Sequence, residues 1–176
     1  MNMEILKTKI RNVPDFPEKG IVFRDITTLL KDPNSFKIVI DHLHEKYKDI
    51  ALDCILGIES RGFIFGGALA HRLGVGFVPA RKPGKLPAET IAESYSLEYG
   101  KATLEIHKDA IGRGQKVLVV DDLLATGGTL QAACRLVERL GGEVAGIWVL
   151  IELNFLNGRK LLKGYPFDSL IQYDSE

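Results

Sequence analysis

The chain has 176 residues, 45% hydrophobic and 26% charged, which suits one domain with its own core and no low-complexity tracts. Lysine plus arginine balances aspartate plus glutamate at 23 each, so no long-range field gathers nucleic acid or anionic lipid, and any polyanion is met locally. The start, MNMEILKTKI, lacks a hydrophobic segment of signal-peptide length, no apolar run approaches a membrane span, and Cys54 and Cys134 lack metal-ligand neighbours; the expectation is a cytoplasmic protein with two buried thiols and neither a nucleic-acid nor a membrane partner.

Residues 1–11 suit a short helix, after which Pro14, Pro17 and Gly20 impose a loop ending in the apolar stretch 21–23. This opening reads as an appendage. Asp32 before Pro33 starts a helix whose Phe36, Val39, Ile40, Leu43 and Tyr47 share one face. Residues 54–58 form a short, continuously apolar strand, and residues 62–73 a helix with Phe65, Leu69 and Leu73 on one side. Residues 77–80 are a further strand. From Arg81 to Gly100 the pattern breaks into Gly, Pro and polar residues, with a brief alternation through Tyr95, Leu97 and Tyr99, and suggests a long, partly mobile excursion. Residues 117–120 read as a strand, 129–140 as a helix closed by Gly141 and Gly142, and 144–150 as a β-branched strand. Such alternation indicates an α/β fold, a mostly parallel central sheet with flanking helices. Ligands of these sheets bind beyond the carboxyl ends of the strands, which nominates the loops after Ile58, Ala80 and Val120.

In VLVVDDLLATGGT an apolar strand delivers Asp121 and Asp122 to its end, and Ala125, Thr126, Gly127, Gly128 and Thr129 lead into the next helix. The two glycines let backbone N–H groups approach a ligand, the helix start adds positive potential, and the threonine hydroxyls add donors, together a cradle for a phosphate monoester. No lysine follows as in a nucleotide-triphosphate loop, and the dinucleotide fingerprint is absent. The acids would repel a neighbouring phosphate, so they suit sugar hydroxyls or hydrated Mg²⁺. A ribose phosphate satisfies both halves. A plain capped helix start after a solvated acidic turn is the alternative.

This stretch resembles the phosphoribosyl-pyrophosphate motif of type I phosphoribosyltransferases. PDFPEKGIVFRDITTLL, GIESRGFIFG, ARKPGKLP and SYSLEYGKATLEIHKDA, in that order, further resemble the adenine phosphoribosyltransferases, so the likeness covers nearly the whole chain. It implies a single domain with an N-terminal hood over about residues 1–30 and a lid excursion over about residues 81–105. The reaction implied is Mg²⁺-dependent transfer of phosphoribosyl from phosphoribosyl pyrophosphate to adenine, giving AMP and pyrophosphate in purine salvage. A homodimer is implied as well. Phosphoribosyl transfer to a 6-oxopurine, or a regulator that retains the fold, are the rivals.

The resemblance also assigns roles. Arg61, Arg81, Lys82 and Lys85 would bind pyrophosphate, although Arg81, Lys82 and Lys85 by themselves read equally as a solvated basic loop, and Lys82 is the weakest of the set. The Glu59–Ser60 turn in relatives can hold a cis peptide, and neither side chain is given a catalytic role. Val22, Phe23 and Arg24 would stack on and read adenine, with main-chain atoms at Val22 on the amine side; alone, Phe23 reads as a core aromatic. Leu123 would cover the other face of the base. Glu98 would be the general acid/base and Tyr99 lid packing, whereas spacing alone leaves Glu98 solvent-facing. The metal would be held mainly by substrate, with Asp121 and Asp122 nearby. The four histidines are read as structural.

Overall fold

The computed structural model describes residues 3–96 and 100–176. Five parallel strands form the central sheet in the order β4-β3-β7-β8-β9: β3 (Cys54–Ile58), β4 (Gly76–Ala80), β7 (Lys116–Leu124), β8 (Glu143–Leu153) and β9 (Phe167–Tyr173). The remaining elements are α1 (Met3–Thr8), β1 (Arg11–Pro14), β2 (Val22–Asp25), α2 (Thr27–Leu30), α3 (Pro33–Tyr47), α4 (Gly62–Leu73), β5 (Thr90–Ser96), β6 (Lys101–His107) and α5 (Gly128–Arg139). From β3 the chain moves outward to β4, then returns to lay β7 against the other side of β3 and proceeds to β8 and β9. The strand order therefore reverses between β3 and β7, where such sheets open a crevice for ligands.

Period-two alternation divides the buried strand residues between two layers. Ile55, Leu118, Val120 and Trp148 pack under α3 and α4 with Val39, Leu43, Phe65 and Leu69. Leu56, Val117, Val119 and Val149 pack under α5 and β6 with Leu130, Leu136, Leu104 and Ile106. Pro33 opens α3 in its first turn and Gly74, at φ 70°, closes α4 in the left-handed conformation that glycine adopts without strain.

Two expectations need correction, and one strand was not read. The opening segment is stitched into the core: Leu6, Ile10, Ile26 and Leu29 join the α3/α4 layer, and β1 and β2 form an antiparallel pair where only a loop was expected. Within the stretch read as an irregular excursion, β5 and β6 pair antiparallel from Thr90–His107 to Ser96–Lys101, and Arg81 exchanges main-chain hydrogen bonds with Glu105 at 2.8 and 2.9 Å. The strand was concealed because its inward row is Ile91, Glu93 and Tyr95, with a carboxylate in the middle; Arg135 and Arg139 of α5 meet that carboxylate at 3.2 and 3.1 Å. The strand not read, β9, completes the sheet through 3₁₀ turns, Asn154–Leu156 and Gly158–Leu162, with no α-helical crossover.

Candidate active site

A cavity of about 640 Å³ opens at the carboxyl ends of β3 and β7. Its walls come from Ile58, Glu59, Ser60 and Arg61 after β3, from residues 121–127 with Thr129 and Leu130, and from Phe23, Lys82 and Tyr95. Both acids lie within the carboxyl-terminal part of β7, which runs further than its apolar run suggested. Asp122 donates its N–H to Asp121 Oδ1 at 2.8 Å, and Arg61 Nε stands 2.8 Å from Asp122 Oδ2, an ion pair without hydrogen-bond alignment. Burial raises the Asp121 carboxyl well above its usual range and the Asp122 charge adds to this; burial also raises Asp122, against the pull of Arg61. Gly62 is required beside them, since a Cβ there would sit 2.7 Å from the Val120 carbonyl oxygen and 3.1 Å from Asp121 Oδ1.

The following turn is built for close approach. Gly127 caps α5 at φ 91°, and no side chain caps the helix, which leaves its first N–H groups free for a ligand. The hydroxyls of Thr126 and Thr129 make no hydrogen bond to the described residues, and both line the cavity. Ala125 and Gly127 line it too, whereas Gly128 faces the β5 strand, where a Cβ would lie 3.1 Å from Ser96 O and 3.1 Å from Tyr95 Cδ2. Its glycine serves packing of the hairpin onto the helix.

The basic residues divide differently from their sequence ranking. Lys82, the weakest on sequence grounds, lines the cavity with Arg61. Arg81 is held by Glu59 Oε1 at 2.8 Å and by the Lys85 carbonyl at 3.2 Å, outside the cavity wall, and Lys85 is outside it as well. The hydrogen bond from Arg81 holds the Glu59 carboxyl below its ordinary range, and Glu59 in turn raises Arg81. The Glu59–Ser60 peptide is cis.

Phe23 and Leu123 both line the cavity; Phe16 meets the Phe23 ring edge-on at 5.2 Å and Arg61 lies 5.2 Å from its centroid. Arg24 points elsewhere. It is buried, bonded to Asn12 Oδ1 at 2.6 Å and Ser175 O at 3.2 Å, over the Tyr173 ring. Val22 is off the cavity wall and donates its N–H to Glu176 Oε2 at 3.1 Å. Glu98 and Tyr99 lie outside the described residues. Tyr95 and Leu130 were missed as wall residues; the alternation ending at Tyr99 was the signal for the first, and nothing distinguished the second from an ordinary helix residue.

A parallel sheet with this strand order, carrying two acids and a glycine-rich turn at its reversal point, defines a type I phosphoribosyltransferase fold. The model of the Phosphoribosyl transferase domain matches residues 25–169. An adenine phosphoribosyltransferase of Solibacter usitatus is 62% identical over 172 residues, 98% of this chain and 99% of its own. The crystal structure of adenine phosphoribosyltransferase from Thermoanaerobacter pseudethanolicus superposes with a TM-score of 0.95 at 56% identity, covering 98% of this chain and 100% of that one. That from Saccharomyces cerevisiae, complexed with an imino-altritol bisphosphate and adenine, gives 0.90 at 44% identity, covering 96% and 97%. The chain belongs to the adenine phosphoribosyltransferase family. No described helix is long and apolar enough to cross a membrane.

Proposed function

We propose that this chain transfers the phosphoribosyl group of phosphoribosyl pyrophosphate to adenine, giving AMP and pyrophosphate, as a cytoplasmic homodimer in purine salvage. The observation that carries the reading is one cavity lined by the acid pair, the glycine-rich turn, Phe23 and Leu123 together. The family's name and the yeast complex with adenine support the choice of base.

Ala125, Thr126, Gly127, Gly128 and Thr129 hold the 5′-phosphate, and Asp121 and Asp122 accept from the ribose hydroxyls. Arg61 and Lys82 meet pyrophosphate, with Arg81 and Lys85 behind them. Adenine lies between Phe23 and Leu123, with its amine side toward main-chain atoms at Val22; Arg24 anchors β2 so that Phe23 faces the cavity. The ring nitrogen of adenine bonds to the anomeric carbon as the carbon–oxygen bond to pyrophosphate breaks, through an oxocarbenium-like transition state. Glu98 takes the proton released from the purine, while Tyr99 and the rest of the lid exclude water. The segment before α3 acts as the hood. Asp121 and Asp122 are hard oxygen donors that would suit Mg²⁺ held mainly by the substrate's own oxygens. When bound, the metal offsets the charge of the pyrophosphate.

The test is incubation with phosphoribosyl pyrophosphate, Mg²⁺ or EDTA, and adenine, hypoxanthine, guanine or xanthine, with identification of the nucleotide formed. AMP formed only with Mg²⁺ is expected. Preference for a 6-oxopurine, or no AMP, refutes the reading.

A further inference from the structure

We propose that the Glu152–Arg159 ion pair, its carboxylate buried and its guanidinium half-exposed, is a positioning device for the phosphate loop, setting affinity for the phosphoribosyl donor through Gly158 although neither charged residue lines the cavity. The inference rests on the reading of residues 125–129 as a phosphate cradle.

Glu152 lies near the end of β8, paired in register with Leu124 of β7, and is 3% exposed. A carboxylate there is costly unless fully partnered. Arg159 supplies a two-pronged contact, Nε to Oε1 at 2.5 Å and Nη2 to Oε2 at 2.7 Å, and Ser169 of β9 donates to Oε2 at 2.6 Å. Burial pushes the Glu152 carboxyl upward, but these donors and the arginine charge outweigh it and hold the group below its ordinary range, ionised. The guanidinium is also stacked 4.5 Å from the centre of the Phe167 ring. Two sheet strands thus fix both the position and the plane of the Arg159 head, as a bidentate arginine contact does and a lysine contact does not.

The residue before Arg159 presses on the phosphate loop. A Cβ on Gly158 would stand 2.2 Å from the Ala125 carbonyl oxygen and 2.8 Å from Leu124 Cδ1, and one on Gly127 would stand 2.6 Å from the Gly158 carbonyl oxygen. Three residues on, the Leu161 carbonyl accepts from Gln131 Nε2 at 2.9 Å in the first turn of α5. The loop has no side-chain cap of its own and its two threonine hydroxyls bond to none of the described residues. Its shape is therefore set from outside, by a backbone segment whose place is fixed by the ion pair. What the charged fork adds is orientation, and N–H donors aimed at a phosphate are sensitive to displacements well under an ångström.

The test uses Arg159→Lys, which keeps the charge and loses the fork, Gly158→Ala, and the double variant. Ribose 5-phosphate affinity is measured by calorimetry, KM for phosphoribosyl pyrophosphate and for adenine by steady-state assay, and folding by thermal melts. Each single variant is expected to raise the ribose 5-phosphate Kd and the donor KM about tenfold, with adenine KM within about twofold; the double variant is expected to be no worse than the poorer single, because both act along one path. A lower melting temperature with an unchanged Kd and donor KM assigns the pair to stability alone and overturns the proposal. If Gly158→Ala does not fold, the Kd of Arg159→Lys decides. A parent protein that binds no ribose 5-phosphate and forms no AMP overturns the functional reading itself, whereas normal parent binding with unaffected variants overturns only the positioning role.

Discussion

Replacing Gly127 by alanine tests how closely the phosphate turn is fitted. Two costs combine at this position. Gly127 has φ 91°, and placing an L side chain in that region costs roughly 1–2 kcal/mol. The new Cβ would also lie 2.6 Å from the Gly158 carbonyl oxygen, so the two segments must part by about 0.8 Å to reach ordinary contact. Gly158 also abuts the Ala125 carbonyl, so parting the segments at Gly127 disturbs the turn at a second point of contact as well. A displacement of about 1 Å at a binding site is worth on the order of 10²-fold in rate, so we expect kcat/KM for phosphoribosyl pyrophosphate to fall roughly 10–100-fold and stability by about 2–4 kcal/mol. Gly164→Ala is the matched control: its φ is 98° and nothing lies within 4 Å of the added carbon, so it carries the conformational cost without the collision. Urea unfolding and steady-state kinetics on both variants separate the two terms. If Gly127→Ala matches Gly164→Ala in stability and in kcat/KM, the close-approach argument is wrong.

Other consequences are open to simple measurements. Glu98→Gln is expected to retain phosphoribosyl pyrophosphate binding and lose about 10²–10⁴ in turnover, as read by calorimetry and AMP formation; unchanged turnover removes Glu98 from its role. Cys54 and Cys134 are buried, and burial pushes their thiols up to about 11 and about 12, so a chromogenic disulfide reagent at pH 8 should titrate neither in the native protein and both in denaturant. Asp25 has its carboxyl lowered from 3.8 to about 2, chiefly by the Thr27 N–H and by Arg11 at 2.5 Å. Because the folded value is the depressed one, the stabilisation is present above pH 4, about 1 kcal/mol after allowance for solvent screening, and is lost as pH falls toward 2. Asp25→Asn should thus be less stable than the parent in urea at pH 7 and equal to it near pH 2. Trp148, the sole tryptophan, is fully buried with no partner for its indole N–H among the described residues. Trp148→Phe should cost under about 1.5 kcal/mol, because losing an unsatisfied donor offsets the smaller ring; a loss above about 3 kcal/mol would point to a missed partner.

How much of this was legible in the sequence depends on whether a neighbour in space or a neighbour in sequence decides the outcome. Cys54–Ile58 and Gly62–Leu73 were read with their observed bounds because β3 is buried on both faces and a left-handed glycine ends α4. Strand β9 was not read, since its residues run FDSLIQY and it joins the sheet through 3₁₀ turns that carry no helical periodicity. The acid pair and the Thr126–Thr129 turn suggested a ribose-phosphate site from residue types alone, and Asp121, Asp122, Thr126, Gly127 and Thr129 do line one cavity. The ranking of the basic residues could not be read that way. Arg81 outranks Lys82 as an anion ligand in isolation, but β3 and β4 pair so that Ile58 lies opposite Ala80, and this brings Glu59 to Arg81. Glu152 likewise looks like a break in an apolar strand until Arg159 and Ser169 fold onto it.

These pairings bear on what the cavity selects. Of its two cationic wall residues, Arg61 stands against Asp122, and Lys82 has no acid partner among the described residues. A bare phosphate drawn to Arg61 would leave Asp122, only 4% exposed, as an unpaired buried carboxylate, which is strongly unfavourable. A ligand that brings anionic oxygens for the arginine together with hydroxyl donors for the aspartates satisfies both partners as the pair separates. Phosphoribosyl pyrophosphate carries both groups on one ring, so under the proposed function the Arg61–Asp122 pair is expected to disfavour free phosphate before any contact with the base is made, and inorganic phosphate should compete poorly with the donor in a steady-state assay.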